Sequence, residues 1–217
     1  MLKKNIIAHR GLWLNNSEKN TLIAFHRALE NGFGIETDIR DFDGKIVISH
    51  DLPESQSIDL QLYHLLKMKL FSETQGRMAL NVKSSGLASA VSMVLTSLQI
   101  DHSRFYVFDM AVPDMMPYID SGLDIYSRIS DQEPIPAFKN SIRGVWVDDL
   151  SGNFDQVQAA KDSLDQSLRV TIVSPELHGR NHEMLWSQIV SHGLHKYHNF
   201  ELCTDLPLEA ANTFSDS

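Results

Sequence analysis

Short β-rich runs alternate with longer amphipathic stretches from one end of this chain to the other, and no other feature narrows the possible folds as far. Strands separated by helical segments cannot be joined by tight hairpins. They need crossover connections, and crossovers build a parallel sheet. Eight runs begin near Asn5, Gly34, Arg77, Arg104, Asp124, Gly144, Leu168 and Phe200. Most are continuous and apolar, Ile6-Ile7-Ala8 and Val170-Thr171-Ile172-Val173 most plainly, as strands covered on both faces must be. Eight parallel strands in βα units fit an α/β fold of the (β/α)₈ TIM-barrel type, and a doubly wound open sheet is the alternative that the same rhythm allows. With 217 residues, near the lower end of barrel lengths of roughly 200 upward, the chain is expected to form one barrel domain over 1–217.

Between the runs lie helical patterns. Leu22 to Leu29 carries apolar residues at helical spacing and is closed by Asn31-Gly32, and Leu87 to Leu98 repeats that logic. Pro134 and Pro136 interrupt the stretch Ser130 to Ile142, so an irregular connection is expected there, and a polar tail after Asn212 is expected to fray. The lone cysteine, Cys203, cannot form an internal disulfide and reads as a buried thiol in a reducing compartment. The apolar stretch after Lys3-Lys4 is too short for the core of a signal peptide, and no run is long enough to span a membrane. These features predict a cytoplasmic protein without integral membrane association. A net charge of -9 argues against sequence-independent nucleic-acid binding, which needs Lys and Arg to neutralise backbone phosphates.

The polar residues that break the apolar runs cluster at strand ends. The first run ends in His9-Arg10-Gly11; the second contains Glu36-Thr37-Asp38, then a turn at Asp43-Gly44 and an extended run ending at His50-Asp51. Side chains alternate across a strand, so Glu36 and Asp38 point the same way, flanked by Ile35 and Ile39 in a buried pattern. Two carboxylates so placed repel each other unless a cation sits between them, and oxygen donors without Cys favour magnesium or calcium. Asn81 and Lys83, again two apart, hold the matching place on the third run. In a barrel, catalytic groups gather where strands meet the following loops.

The His9-Arg10-Gly11 run, the Asn20-Thr21 helix start, Glu36-x-Asp38 and the His50-Asp51 pair resemble the signature of the glycerophosphodiester phosphodiesterases in order and spacing. Thr204-Asp205-Leu206-Pro207 resembles that family's ending after its last strand. The resemblance implies a barrel, a bound Mg²⁺ or Ca²⁺, and a small phosphodiester substrate cleaved by two histidines acting as acid and base. It matches His9 and His50 to those histidines, Arg10 to a phosphate-binding residue, Glu36 and Asp38 to metal ligands, and Lys83 to a lysine that stabilises phosphoryl charge. It also implies attack by a neighbouring substrate hydroxyl, with a cyclic phosphate then hydrolysed. Histidine suits such work because its ordinary pKa lies near neutrality.

The chain departs from that pattern at three places. Asn81 stands where the family has a further metal-binding glutamate, so looser cation binding is expected. Glu18-Lys19 replaces the usual Pro-Glu, and the segment from His50 to Arg77 is short where many members carry a covering insertion. Two alternatives follow: a lyase that stops at the cyclic phosphate, and a decayed site that binds a phosphorylated ligand without cleaving it. The loop after the seventh run should face the same mouth, making Glu176, His178 and Arg180 candidates for contact with the substrate's second substituent, with Asp148 at the end of the sixth run. His178, His182, His192, His195 and His198 read as a solvated helix face rather than a zinc site. The oligomeric state is not legible.

Overall fold

The computed structural model describes residues 1–68, 71 and 73–215, with the side chains of 56 and 58 excepted. The first part of the chain forms β1 (Ile6–His9), α1 (Leu22–Glu30), β2 (Gly34–Phe42), β3 (Lys45–Ile48), α2 (Leu62–Leu66), β4 (Met78–Val82) and α3 (Ala88–Ser97). It continues through β5 (Phe105–Phe108), α4 (Met115–Asp120), β6 (Tyr126–Ile129), β7 (Gly144–Val147) and α5 (Gln156–Asp165). β8 (Arg169–Val173), α6 (Glu183–Ser191), β9 (Phe200–Thr204) and α7 (Pro207–Ser215) complete it. The strands run in the order β5-β4-β2-β1-β9-β8-β7-β6, with β3 added to β2 as the antiparallel arm of a hairpin. All other pairings are parallel. The ends of this path, β5 and β6, meet through one parallel bridge between Val107 and Ile125. This is a (β/α)₈ barrel, as the alternation of runs predicts, and not the open sheet.

The hairpin turns at Asp43-Gly44, both at positive φ (49° and 71°), the backbone that matches the strand twist in a two-residue turn. α1 begins where Thr21 accepts a hydrogen bond from Ala24 N at 3.4 Å, a side-chain N-cap. Gly11 has φ 88° and lies so close to α1 that a Cβ would sit 2.8 Å from Ala24, so the loop from β1 can fold onto the helix only with glycine there. As the two prolines imply, residues 130–142 contain no helix. The tail is tied down, contrary to expectation: α7 runs to Ser215, Phe214 is fully buried, and the amino group of Met1 donates to Phe214 O at 2.6 Å. Asp216 and Ser217 lie outside the described residues.

Apolar side chains such as Phe25, Leu29, Ile35, Leu80 and Ile172 pack between the strands and the helices. The interior of the barrel is different: Tyr106 stacks on Tyr126 and Phe108 on Trp146, each pair at 3.9 Å, beside Ile7 and Cys203. Below them, at the strand starts, Arg77 donates to Tyr126 Oη at 2.5 Å and to Asp124 at 3.1 Å, and buried Glu201 lies 3.7 Å from Arg77 and 3.5 Å from Arg169. This charged layer closes the lower end. Cys203 is a free, buried thiol whose pKa burial pushes up. The late histidines are not all solvated: His195 is buried against Phe214, and His182 packs on the Trp186 ring at 4.1 Å. No helix among the described residues is long and apolar enough to cross a membrane.

Candidate active site

The upper ends of β1, β2 and β4 bring six of the expected residues together. In-register pairing sets His9 beside Glu36 and Asp38 beside Asn81. His9 Nδ1 donates to Asp205 Oδ1 at 2.6 Å, which leaves Nε2 directed at Glu36 Oε2, 3.9 Å away. Both partners of the His9–Asp205 pair are 14% exposed, so the interaction is shielded while the ring keeps access to solvent. Asp205 is itself braced, its N–H donating to Glu176 Oε1 at 3.1 Å and its carboxylate lying 3.8 Å from Lys19 Nζ.

Asp38 is fully buried and its charge is balanced by the protein itself. Arg10 Nε lies 3.0 Å from Oδ2 and Lys83 Nζ 3.6 Å from Oδ1. A guanidinium and an ammonium thus already supply Asp38 with opposite charge, beside which an external cation would have to bind. Asn20 donates to Asp38 Oδ2 at 2.9 Å and accepts from Thr37 Oγ1 at 2.9 Å. Arg10 and Asn20 both hold left-handed backbone, φ 56° and 58°, a conformation that costs roughly 1–3 kcal/mol for such residues and persists only where the surroundings over-determine it. Among the described residues, Glu36 has no such cation in contact. It accepts from Arg10 N at 3.2 Å, and burial, then the neighbouring charge of Asp38, pushes its pKa up to about 7, against the pull of His9, Arg10 and Lys83.

Two oxygens remain without donors in this buried region, Asp38 Oδ1 and Asn81 Oδ1, on neighbouring strands at matched register. A hard divalent ion suits such atoms, because it accepts carboxylate and amide oxygens without demanding three anionic side chains. The unpartnered oxygens of Asp38 and Asn81 thus suit a cation, which would compete with Lys83 for Asp38. Among the described residues no group of three or more His, Cys, Asp or Glu is arranged to hold a metal.

His50 stands on the hairpin edge beyond β3, 45% exposed, with Nδ1 2.9 Å from the carboxylate of Asp51. Its backbone is held by Arg40, which donates to His50 O from Nε at 3.1 Å and from Nη2 at 2.9 Å, and to Lys83 O from Nη1 at 3.0 Å. One guanidinium thereby links the main chains of His50 and Lys83. On the far side of the mouth His178 Nε2 donates to Asp148 Oδ1 at 2.7 Å, and that oxygen also accepts from Asp149 N at 2.9 Å. Glu176 accepts from Ser174 and from Thr204 Oγ1, so it braces the ends of β8 and β9. Arg180 donates to the carbonyls of Asp149 and Leu150 and ties the β7 loop to the β8 loop. Glu18, in the segment that departs from the family pattern, pairs with Arg27 at 2.5 Å, a bond that lowers its pKa.

The sequence pattern gives no role to four residues at this mouth, although Asn20 and Asp205 lie within its motifs. Asp205 orients His9, Asn20 holds Asp38, Arg40 joins His50 to Lys83, and Asp109 lies 3.8 Å from Lys83 while also bonding Arg128. Asp205 and Asp109 each follow the last residue of a strand, so the rule that catalytic groups sit at strand ends selects both.

Comparison with solved structures gives the same architecture. The barrel is similar to that of a protein assigned as a glycerophosphodiester phosphodiesterase from Galdieria sulphuraria, with TM-score 0.71, 18% identity and 98% of each chain covered. It is similar to a glycerophosphodiester phosphodiesterase from Agrobacterium tumefaciens, with TM-score 0.69, 16% identity, and 95% of this chain and 99% of that one covered. A glycerophosphoryl diester phosphodiesterase from Parabacteroides distasonis follows at 0.67 and 13%, with 97% and 85% covered. No protein-family model and no curated protein sequence matches the chain.

Proposed function

We propose that this chain is a phosphoric diester hydrolase that cleaves a small phosphodiester such as a glycerophosphodiester, with His9 and His50 as the acid–base pair and Mg²⁺ or Ca²⁺ as cofactor. The observation that carries the reading is the arrangement around His9: its Nδ1 is fixed by Asp205, and its Nε2 is turned toward the cluster of Glu36, Asp38, Arg10 and Lys83. An imidazole held in one tautomer by a shielded carboxylate is ready to take or give a proton at the other nitrogen. The likeness of the whole barrel to phosphodiesterases of three organisms supports the same reading.

Arg10 and Lys83 bind the phosphoryl oxygens and hold positive charge where negative charge spreads in the transition state. One imidazole removes the proton from a neighbouring substrate hydroxyl as its oxygen bonds to phosphorus. The other protonates the departing alcohol oxygen as its bond to phosphorus breaks. The cyclic phosphate is then opened by water with the two proton transfers reversed. Positioned proton transfer contributes roughly 10²–10⁴ in rate. Glu36, Asp38 Oδ1 and Asn81 Oδ1 would hold the divalent ion, which when bound neutralises phosphate charge.

The test is phosphorus NMR of the purified protein with glycerophosphodiesters, inositol phosphodiesters and a chromogenic bis-aryl phosphate, in magnesium, calcium or chelator, beside His9→Ala. A phosphomonoester product lost in His9→Ala supports hydrolysis, an accumulating cyclic phosphate identifies the lyase, and bound ligand without turnover identifies the binding barrel. Because Lys83 competes for Asp38 and Asn81 brings no charge, Asn81→Glu is expected to tighten divalent-ion binding by about tenfold or more in calorimetry. Weaker binding in that variant would remove Asn81 from the cation site.

A further inference from the structure

The wall of the barrel is not uniform. Seven neighbouring pairs of parallel strands are joined by ladders of three to five matched residues, but β5 and β6 share the single bridge Val107–Ile125. Above that bridge the strands part, and the seam is filled by a cleft of about 570 Å³. One bank is the β5–α4 loop and the start of α4, with Met110, Val112 and Met115; the other is β6 and the following connection, with Arg128, Glu133 and Ile135.

From this geometry we infer that the seam between β5 and β6 is a substrate subsite for a linear aliphatic substituent on the phosphate. The inference rests on the phosphodiesterase reading of the adjoining mouth and adds the substrate class to it.

Three observations carry it. The cleft adjoins the mouth: Asp109 and Arg128 line it, and Asp109 also lies 3.8 Å from Lys83. A phosphoryl group held by Lys83 therefore has its substituent at the inner end of the seam. Secondly, the cleft, at about 570 Å³, is several times larger than a glycerol. Thirdly, its outer lip bears aliphatic side chains that the fold leaves in water, Ile135 at 79% and Val112 at 51% exposure, above Met110 and Met115, which are buried. A chain leaving the phosphate along the seam covers both exposed residues, and thioether side chains adapt readily to a flexible alkyl ligand. The charges there favour no second anion: Arg128 is already taken by Asp109 and Glu133. Asp109 keeps this arrangement in a left-handed backbone, φ 70°, outside any ladder.

Binding can be read without turnover. The affinities of n-alkyl phosphates from methyl to decyl, all below their micellar concentrations, are measured by calorimetry on the full chain. Hydrolysis of methyl and decyl glycerophosphodiesters is followed in parallel. Affinity is expected to rise about two- to fourfold per added methylene until the seam is filled, since a fully buried methylene is worth about 0.8 kcal/mol. Ile135→Asp and Val112→Asp should flatten that series, whereas Met93→Asp, at an exposed position on α3, should leave its slope intact. A chain-length series that is flat in the parent protein, or a slope that survives both seam variants, overturns the subsite. Absence of hydrolysis with an intact binding slope would instead remove the phosphodiesterase reading and leave the subsite standing.

Discussion

The two histidines of the mouth sit in regions built by opposite means. His9 leaves a strand that is laddered on both sides, and its imidazole is anchored by Asp205 from the neighbouring strand end, 196 residues away. His50 leaves the antiparallel arm of a hairpin, and among the described residues its ring pairs with the adjacent Asp51, which is 94% exposed. What fixes His50 is its main chain, gripped by Arg40. On the proposed reading, the difference means that one of the two proton-transfer groups is oriented before substrate arrives, while the other is positioned at the backbone and left to settle its ring on the substrate. Apo sites commonly tighten in this way on binding.

The comparison breaks most visibly at His9. His9→Ala is expected to lower kcat by roughly 10²–10⁴, and Asp205→Asn to come close to it, because an amide no longer enforces the tautomer that turns Nε2 to the site. Steady-state rates on the substrate found by phosphorus NMR check both. An Asp205→Asn variant within about threefold of the parent would mean that His9 needs no anchor, and the contrast with His50 would disappear.

Burial on the His9 side also has a signature in stability. The folded-state pKa of Glu36, about 7, lies above its ordinary value of 4.5, so the native protein retains a proton that the unfolded chain gives up. The stability associated with that proton is complete below pH 4.5 and is lost as pH rises through about 7. In chelator, Glu36→Gln should therefore be more stable than the parent at pH 8 by up to about 3 kcal/mol and nearly equal to it at pH 4.5. Urea unfolding at the two pH values decides this. An equal difference at both would show that the carboxyl is not strained by its surroundings.

How much of this was legible beforehand differs between the regions in the same way. The runs near Gly34, Gly144 and Phe200 begin where β2, β7 and β9 begin, because strands buried on both faces advertise themselves as apolar runs. The local groups were legible too: Glu36 and Asp38 share a face by alternation, and Asp43-Gly44 makes the turn it suggests. Contacts between distant segments were not. Nothing within the stretch around Asp205 says that it meets His9, and an arginine such as Arg40 on a strand end reads as a surface charge until the carbonyls of His50 and Lys83 are seen around it. The parting of β5 from β6 left no local mark either, since Phe105–Phe108 is as apolar as its better-paired neighbours.

On the hairpin side the expected effects are smaller and separate main chain from ring. Arg40→Ala removes the link between His50 O and Lys83 O, and a loss of roughly 10- to 100-fold in kcat is expected, since misplacement of about 1 Å costs on that order. KM should change less, and Arg40→Lys should recover little, because an ammonium cannot bridge two carbonyls in a planar fork. Equal changes in kcat and KM, or full recovery with lysine, would reduce Arg40 to a surface charge.

Asp51→Ala should have the least effect, within about twofold in kcat/KM, because an exposed ion pair contributes roughly 0–1 kcal/mol and ties down a ring that remains free to turn. The measurement matters beyond its size. If Asp51→Ala cost fiftyfold while Arg40→Ala cost little, His50 would be oriented through its ring as His9 is. The mouth would then hold two equivalent histidine–carboxylate pairs, and the distinction between an anchored imidazole and an adaptable one would have to be given up. If instead Asp51→Ala is silent and Arg40→Ala is not, the hairpin acts as a lever on the backbone, and the length of the β2–β3 arm becomes what sets the reach of the second proton-transfer group.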